Sequence, residues 1–255
     1  MLRIPALTVG APLVARRFAV TARGPDVARL GKEIDIRRLP DPEEQNIDCV
    51  RLLAAACVHG MFSWESGPTS RPAATARQMS PAAPDEAIWE LLLSDVDPGA
   101  LRVLADMLAV LTLDSVEIAD ADAGYQAASG AGAIAYPSCG TPQEFAFDYD
   151  RPFKSSGERA IRIGFAEEPD DEVLALACDG LDVWGNLVMN GAYAADSRPG
   201  ASGVFAEQAS LEEADVLGVS IPICKNMDEL MFSPVVNLVR RIHKLHAPIL
   251  RLEIM

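Results

Sequence analysis

Ile34-Asp35-Ile36 and Ile161-Arg162-Ile163 stand 127 residues apart (161 − 34), and so do Ser70-Arg71-Pro72 and Ser197-Arg198-Pro199 (197 − 70), in a chain of 255 residues. Pro42 and Pro169 share that spacing. A shift of half the chain length that preserves order is the mark of an internal repeat. It implies two modules, residues 1–127 and 128–255, set around a pseudo-twofold axis as one compact unit.

The residues around these matches read as the same series of elements. In the first copy, Phe18 to Thr21 and Glu33 to Leu39 read as strands. A helix then opens at Asp41-Pro42, a capping residue before a proline, with Ile47, Val50, Leu53, Ala54 and Val58 as its apolar stripe and Gly60 at its end. Residues 63–84 read as one long loop, Ala87 to Leu93 as a strand, Asp97-Pro98 as a second helix start and Ser115 to Ile118 as a closing strand. In the second copy, Phe145 to Phe147 matches Phe18 to Val20, and Ala160 to Phe165 is the strand before a helix that opens near Glu168-Pro169. Asn190 to Ser210 is the matching loop, and Val216 to Ile223 the next strand. Ser233-Pro234 opens the last helix, and Ile249 to Ile254 ends the chain as a strand. The register changes to 134 residues beyond Lys225 to Leu230, so that Leu101 faces Val235 (235 − 101).

This order predicts an α+β fold, an internal duplication of two ferredoxin-like modules with mixed or antiparallel sheets and helices on one face. Tandem bacterial-microcompartment shell proteins are similar in size and in this doubled topology. Their sequence signatures are missing here, so the similarity concerns fold and implies no activity.

Composition narrows the function. A net charge of −15 and a sequence pI near 4.6 argue against nucleic acid, whose phosphates need clustered Lys and Arg. The longest apolar stretch, Ala100 to Leu113, contains Arg102 and Asp106 and is too short to span a bilayer. Pro5, Gly10 and Pro12 interrupt the apolar N-terminus, which therefore reads as folded structure in a soluble, cytoplasmic protein rather than as a signal peptide. Five cysteines without a C-x-x-C pair form neither a disulfide framework nor a zinc ribbon, and Cys49, Cys57 and Cys178 fall in apolar helical patterns as core thiols.

No complete catalytic motif is present: phosphate loop, H-E-x-x-H and nucleophile elbow are all missing. Gly130-Ala-Gly132 lacks a strand-to-helix setting and reads as a link between copies. Cys139, in Pro137-Ser-Cys-Gly-Thr141, is the candidate nucleophile, with His59, His243 and His246 as candidate bases. His243 and His246 share a helix face near its C-terminus, as metal ligands or as a polar edge that complements the helix dipole. Glu167, Glu168, Asp170, Asp171 and Glu172 collect where a helix starts. Trp89 and Trp184 read as core.

The repeated Ser70-Arg71-Pro72 and Ser197-Arg198-Pro199 are the candidate binding loops. Two guanidinium groups meeting at the pseudo-axis would clamp an anionic small molecule, with Trp64 and Tyr193 as walls; otherwise each arginine ties down its own loop. The expected function is recognition of a macromolecular partner with a basic surface, as an inhibitor, immunity-type protein or accessory subunit. The alternatives are an enzyme or ligand-binding protein with an anion site between the modules, and a protein that assembles with itself. No cofactor is expected.

Overall fold

The computed structural model describes residues 2–5, 7, 11–30, 48–63, 72–81, 83–122, 128–129, 134–137, 139, 145–150, 159–194, 204–225 and 228–255. The strand expected over 33–39 and the helix start at Asp41-Pro42 lie outside them, as does the glycine link at 130–132.

The first half contains β1 (Leu2–Pro5), β2 (Arg16–Arg23), α1 (Cys49–Val58), β3 (Ala73–Met79), β4 (Glu86–Ser94), α2 (Ala100–Ala109) and β5 (Ser115–Asp120). β6 (Ala128–Ser129) and β7 (Asp148–Asp150) follow. The second half continues with β8 (Arg159–Phe165), α3 (Asp171–Met189), β9 (Val204–Phe205), β10 (Ser210–Glu213), β11 (Val216–Ile221), β12 (Ile223–Cys224), α4 (Ser233–Leu245) and β13 (Ile249–Ile254). The chain is therefore α+β, with mixed sheets.

One sheet has the order β3-β4-β2-β5-β1-β6 and the other β10-β11-β8-β13-β7, with β9 and β12 as a separate pair. In each large sheet the early central strand, β2 or β8, runs antiparallel to both neighbours. The last strand of each half then pairs in parallel with a short outer one, β5 with β1 and β13 with β7. β8 thus occupies in its sheet the place that β2 occupies in the other, so it answers to Phe18–Thr21 rather than to the strand expected over 33–39, and Phe145–Phe147, expected to match β2, is not a strand.

Alternation sets the inner face. Phe18, Val20 and Ala22 of β2 are buried while Arg17 and Arg23 face solvent, and Trp89, Leu91 and Leu93 continue the apolar face on β4. Asp48 starts α1: its Oδ1 accepts from the backbone N–H of Val50 and Arg51, both at 3.1 Å, and its Oδ2 accepts from Trp89 Nε1 at 3.0 Å. One carboxylate so ties a helix start to the sheet beneath. Asp170 does the same capping for α3, accepting from Val173 N at 2.8 Å, with Asp171 and Glu172 in the first turn. α1 is buried at Cys49, Val50, Leu52, Leu53, Ala54, Ala56 and Cys57, too broadly for a single stripe, because it packs on β3 and β4 and also against α2 and α3. Val58, expected in the stripe, is half exposed. One continuous core runs through both halves and includes Trp89 and Trp184.

The expected loop over 63–84 contains β3. Ala-Ala-Thr-Ala-Arg-Gln-Met has neither β-branched enrichment nor apolar alternation, and its strand conformation follows from regular pairing along β4, Ala73 with Ser94 through Met79 with Ile88. No helix of the described residues is long and apolar enough to cross a membrane.

Candidate functional site

The two halves meet at a turn that occurs twice. After α1, the N–H groups of His59, Gly60, Met61 and Ser63 bond the carbonyls of Ala55, Cys57, Ala56 and Gly60. After α3, those of Asn190, Gly191, Ala192 and Ala194 bond Asn186, Val188, Leu187 and Gly191. Gly60 and Gly191 have φ of 81° and 92°, the left-handed conformation that ends helices and suits glycine. The next residue's carbonyl, Phe62 or Tyr193, accepts from the N–H of Asp97 at 2.8 Å or Asp228 at 3.0 Å. Each aspartate then folds its side chain onto the following turn, Asp97 Oδ1 accepting from Gly99 N and Asp228 Oδ1 from Leu230 N.

Each turn is closed by the other half. A Cβ on Gly60 would lie 2.6 Å from Cδ of Arg241 on α4, and one on Gly191 would lie 2.7 Å from Cγ1 of Val110 just after α2. Asn237 of α4 donates from Nδ2 to the Met61 carbonyl at 3.0 Å, fully inside the protein.

On the α2 side the polar group is Asp106. Its Oδ1 accepts from Arg102 Nε at 3.0 Å and its Oδ2 from the Tyr136 hydroxyl at 2.5 Å. The Arg102 guanidinium lies 5.0 Å from the centre of the Tyr136 ring, and that ring lies 4.8 Å from the Tyr193 ring. Burial pushes the Asp106 carboxyl above its ordinary value, against the opposing pull of Tyr136 and Arg102. Burial likewise raises Asp97 and, most strongly, the phenol of Tyr193, which also feels Tyr136, Asp106, Asp97 and Asp228. Tyr193 has φ of 63°, unusual for an aromatic residue, and its buried hydroxyl has no hydrogen-bond partner among the described residues.

Of the residues singled out in the sequence, Tyr193 is at this junction, completely buried. His59 caps the end of α1 beside Gly60. Cys139 is partly buried against the core, and its carbonyl accepts from Arg240 Nη1 at 2.7 Å. His243 accepts the Ile249 N–H on Nδ1 at 3.0 Å, so it closes the connection from α4 to β13, while His246 is the exposed residue that ends α4. Among the described residues no group of His, Cys, Asp and Glu is arranged to hold a metal ion. Ser70, Arg71, Ser197, Arg198 and Trp64 lie outside the described residues. Cys49 and Cys57 are core thiols as expected, burial pushing Cys49 up to about 12 and Cys57 further in the same direction, whereas Cys178, expected with them, is only partly buried on α3.

The sequence reading missed Asp106, Arg102 and Tyr136. The available signal was a carboxylate inside the apolar stripe Leu101, Leu104, Ala105 and Leu108, four residues after an arginine.

A second polar region lies at the end of the other sheet. Phe165 N donates to the Asp215 carbonyl at 2.9 Å and Ala166 N to the Pro248 carbonyl at 3.0 Å, which brings three connections together. Glu167, Glu168, Asp170, Asp171, Glu172 and Glu213 on these segments are exposed, and Leu245 and Leu250, on either side of the α4–β13 connection, are 45% and 58% exposed.

No protein-family model matches this chain, and neither a curated protein nor a solved structure matches it. The similarity to microcompartment shell proteins therefore has no support from a solved structure.

Proposed function

We propose that the chain binds a basic macromolecular partner, as an inhibitor, immunity-type protein or accessory subunit, through the acidic end of its second half. The observation that carries this reading is the gathering of the α3 start, the β10–β11 turn and the α4–β13 connection by the Phe165 and Ala166 hydrogen bonds. Two of these segments carry exposed carboxylates, and exposed Leu245 and Leu250 flank the connection that forms the third. Apolar side chains set among like charges suit an interface in which charge guides encounter and burial holds the complex. Glu167, Glu168, Asp171 and Glu172 exceed what capping α3 needs, since Asp170 alone accepts the N–H of Val173.

The matching sheet orders and the twice-used turn support an origin by duplication, with two ferredoxin-like modules about a pseudo-twofold axis. Five free cysteines suit a soluble protein of the reducing cytoplasm. The second reading, a small-molecule site between the halves, draws support from the Tyr193 hydroxyl, which has no partner among the described residues. Asp97, Asp106 and Asp228 around that phenol disfavour an anion at this point.

The test is capture from the native cell lysate on immobilised protein, comparing the wild type with E167Q/E168Q/D171N/E172Q, which retains Asp170. A basic protein held stoichiometrically, eluted by salt and lost with the variant is the expected result. Retention by the variant, an acidic partner, or no retained protein overturns the reading.

A further inference from the structure

The edges of the two large sheets are guarded unequally. β10 is four residues long, carries Glu212 and Glu213, and slips register between Leu211 and Glu213. Shortness, charge and irregularity are the devices that keep an edge strand from pairing with another chain. β3, which takes the same outer place in its own sheet, is neither short nor irregular. It has seven residues in unbroken register with β4, no internal proline and a single charge, Arg77. Ala73, Thr75, Arg77, Gln78 and Met79 are exposed, and one side of its backbone has no strand partner among the described residues.

We infer that β3 is a self-association edge, pairing antiparallel with β3 of a second copy about a twofold axis at Ala76. Size and charge within the strand point to a second copy as the occupant. Antiparallel pairing centred on Ala76 sets Ala73 opposite Met79, Ala74 opposite Gln78 and Thr75 opposite Arg77, so each large side chain meets a small one. Arg77 never meets Arg77 in this register. A shift to an axis at Arg77 would place the two guanidinium groups face to face, which disfavours that alternative. Two chains of net charge −15 repel over most of their surfaces, and β3 itself carries no carboxylate, although exposed Glu90 of β4 stands opposite Arg77 within the same sheet. A basic partner, by contrast, is repelled by Arg77 and attracted to the acidic end described above. The paired edges would join the two six-stranded sheets into one across the dimer.

The test is sedimentation velocity over a hundredfold range of protein concentration, for wild type, T75R and T75E. Thr75 is exposed and faces away from the core, so neither change disturbs packing, and circular dichroism checks that both variants fold. The wild type is expected to dimerise reversibly. T75R puts arginine opposite Arg77 twice per dimer and is expected to leave monomer at every concentration. T75E creates two opposite-charge cross-strand pairs and is expected to tighten the dimer about fivefold. A monomeric wild type, or a dimer indifferent to T75R, overturns the proposal, and a dimer loosened by T75E overturns the register at Ala76.

Discussion

The turn after α1 and the turn after α3 share a backbone, hydrogen bond for hydrogen bond, yet they are finished differently. At the first, a neutral amide, Asn237, satisfies the Met61 carbonyl, and Phe62 adds no polar atom. At the second, the equivalent region holds a buried carboxylate, Asp106, which needs Arg102 and the hydroxyl of Tyr136, and Tyr193 adds a phenol. The lesson is that backbone geometry at this junction demands little of its side chains. The first turn has the partly buried Asp97 at its side, while the second adds Asp106 and the Tyr193 phenol, polarity that the shared backbone does not require, the usual sign of a constraint beyond stability.

The two turns differ most in what surrounds their glycines. Both need positive φ, which costs another residue about 1–2 kcal/mol. A methyl on Gly191 would also strike both Cγ atoms of Val110, a branched side chain with little freedom, whereas one on Gly60 would meet chiefly Cδ of Arg241, which can swing away. G191A is therefore expected to destabilise by about 3 kcal/mol and G60A by about half as much, once the overpacking against Val110 is added. Urea denaturation of both variants measures the difference. Equal losses would show that the two turns are closed with equal rigidity.

The helices and strands at this joint were readable because local chemistry marks them. Asp97-Pro98 and Ser233-Pro234 announced α2 and α4, and the apolar alternation of residues 160–165 announced β8. The correspondence between halves was harder. α3 has 19 residues and α1 has 10, with the extra turns between the capping aspartate and the terminal glycine. A constant shift of 127 therefore sets Gly60 against Leu187, whereas the hydrogen bonds set it against Gly191. By the same measure, Ser63 answers to Ala194, so the two Ser-Arg-Pro segments stand at different distances from their turns. β3 was hidden for another reason, since its conformation comes from its partner strand rather than from its own residues. Tyr136 could not be tied to Asp106 because the two stand 30 residues apart with β5 between them, a separation that leaves no periodic trace.

A smaller effect separates the two junctions electrostatically. Burial raises Asp106, and also Asp97 and Asp182, above the ordinary aspartate value of 3.8. The folded state then binds protons more tightly than the unfolded chain. The stability these groups contribute is complete below the unfolded value and is lost as pH rises through the raised one. D106N supplies the group that α4 carries at Asn237 and removes one of the three titrations. Its stability relative to wild type is expected to improve as pH rises above the ordinary aspartate value, by on the order of 1 kcal/mol, the scale of one altered buried polar contact. A difference between the two proteins that is constant with pH would show that Asp106 titrates normally.

The smallest effect has the opposite sign from most core substitutions. Y193F removes a buried hydroxyl that has no partner among the described residues and leaves the ring that packs on Tyr136, making the second turn like the first at Phe62. A buried hydroxyl without a partner costs about 1–3 kcal/mol, and part of that is regained when it is deleted. Y193F is expected to raise stability by about 1 kcal/mol in thermal and urea unfolding. Because the variant changes one atom, a gain would identify the phenol as a polar group kept at the expense of stability, as a binding site between the halves requires. A loss would mean that the hydroxyl is satisfied in the free protein, and the second turn would then be as structural as the first.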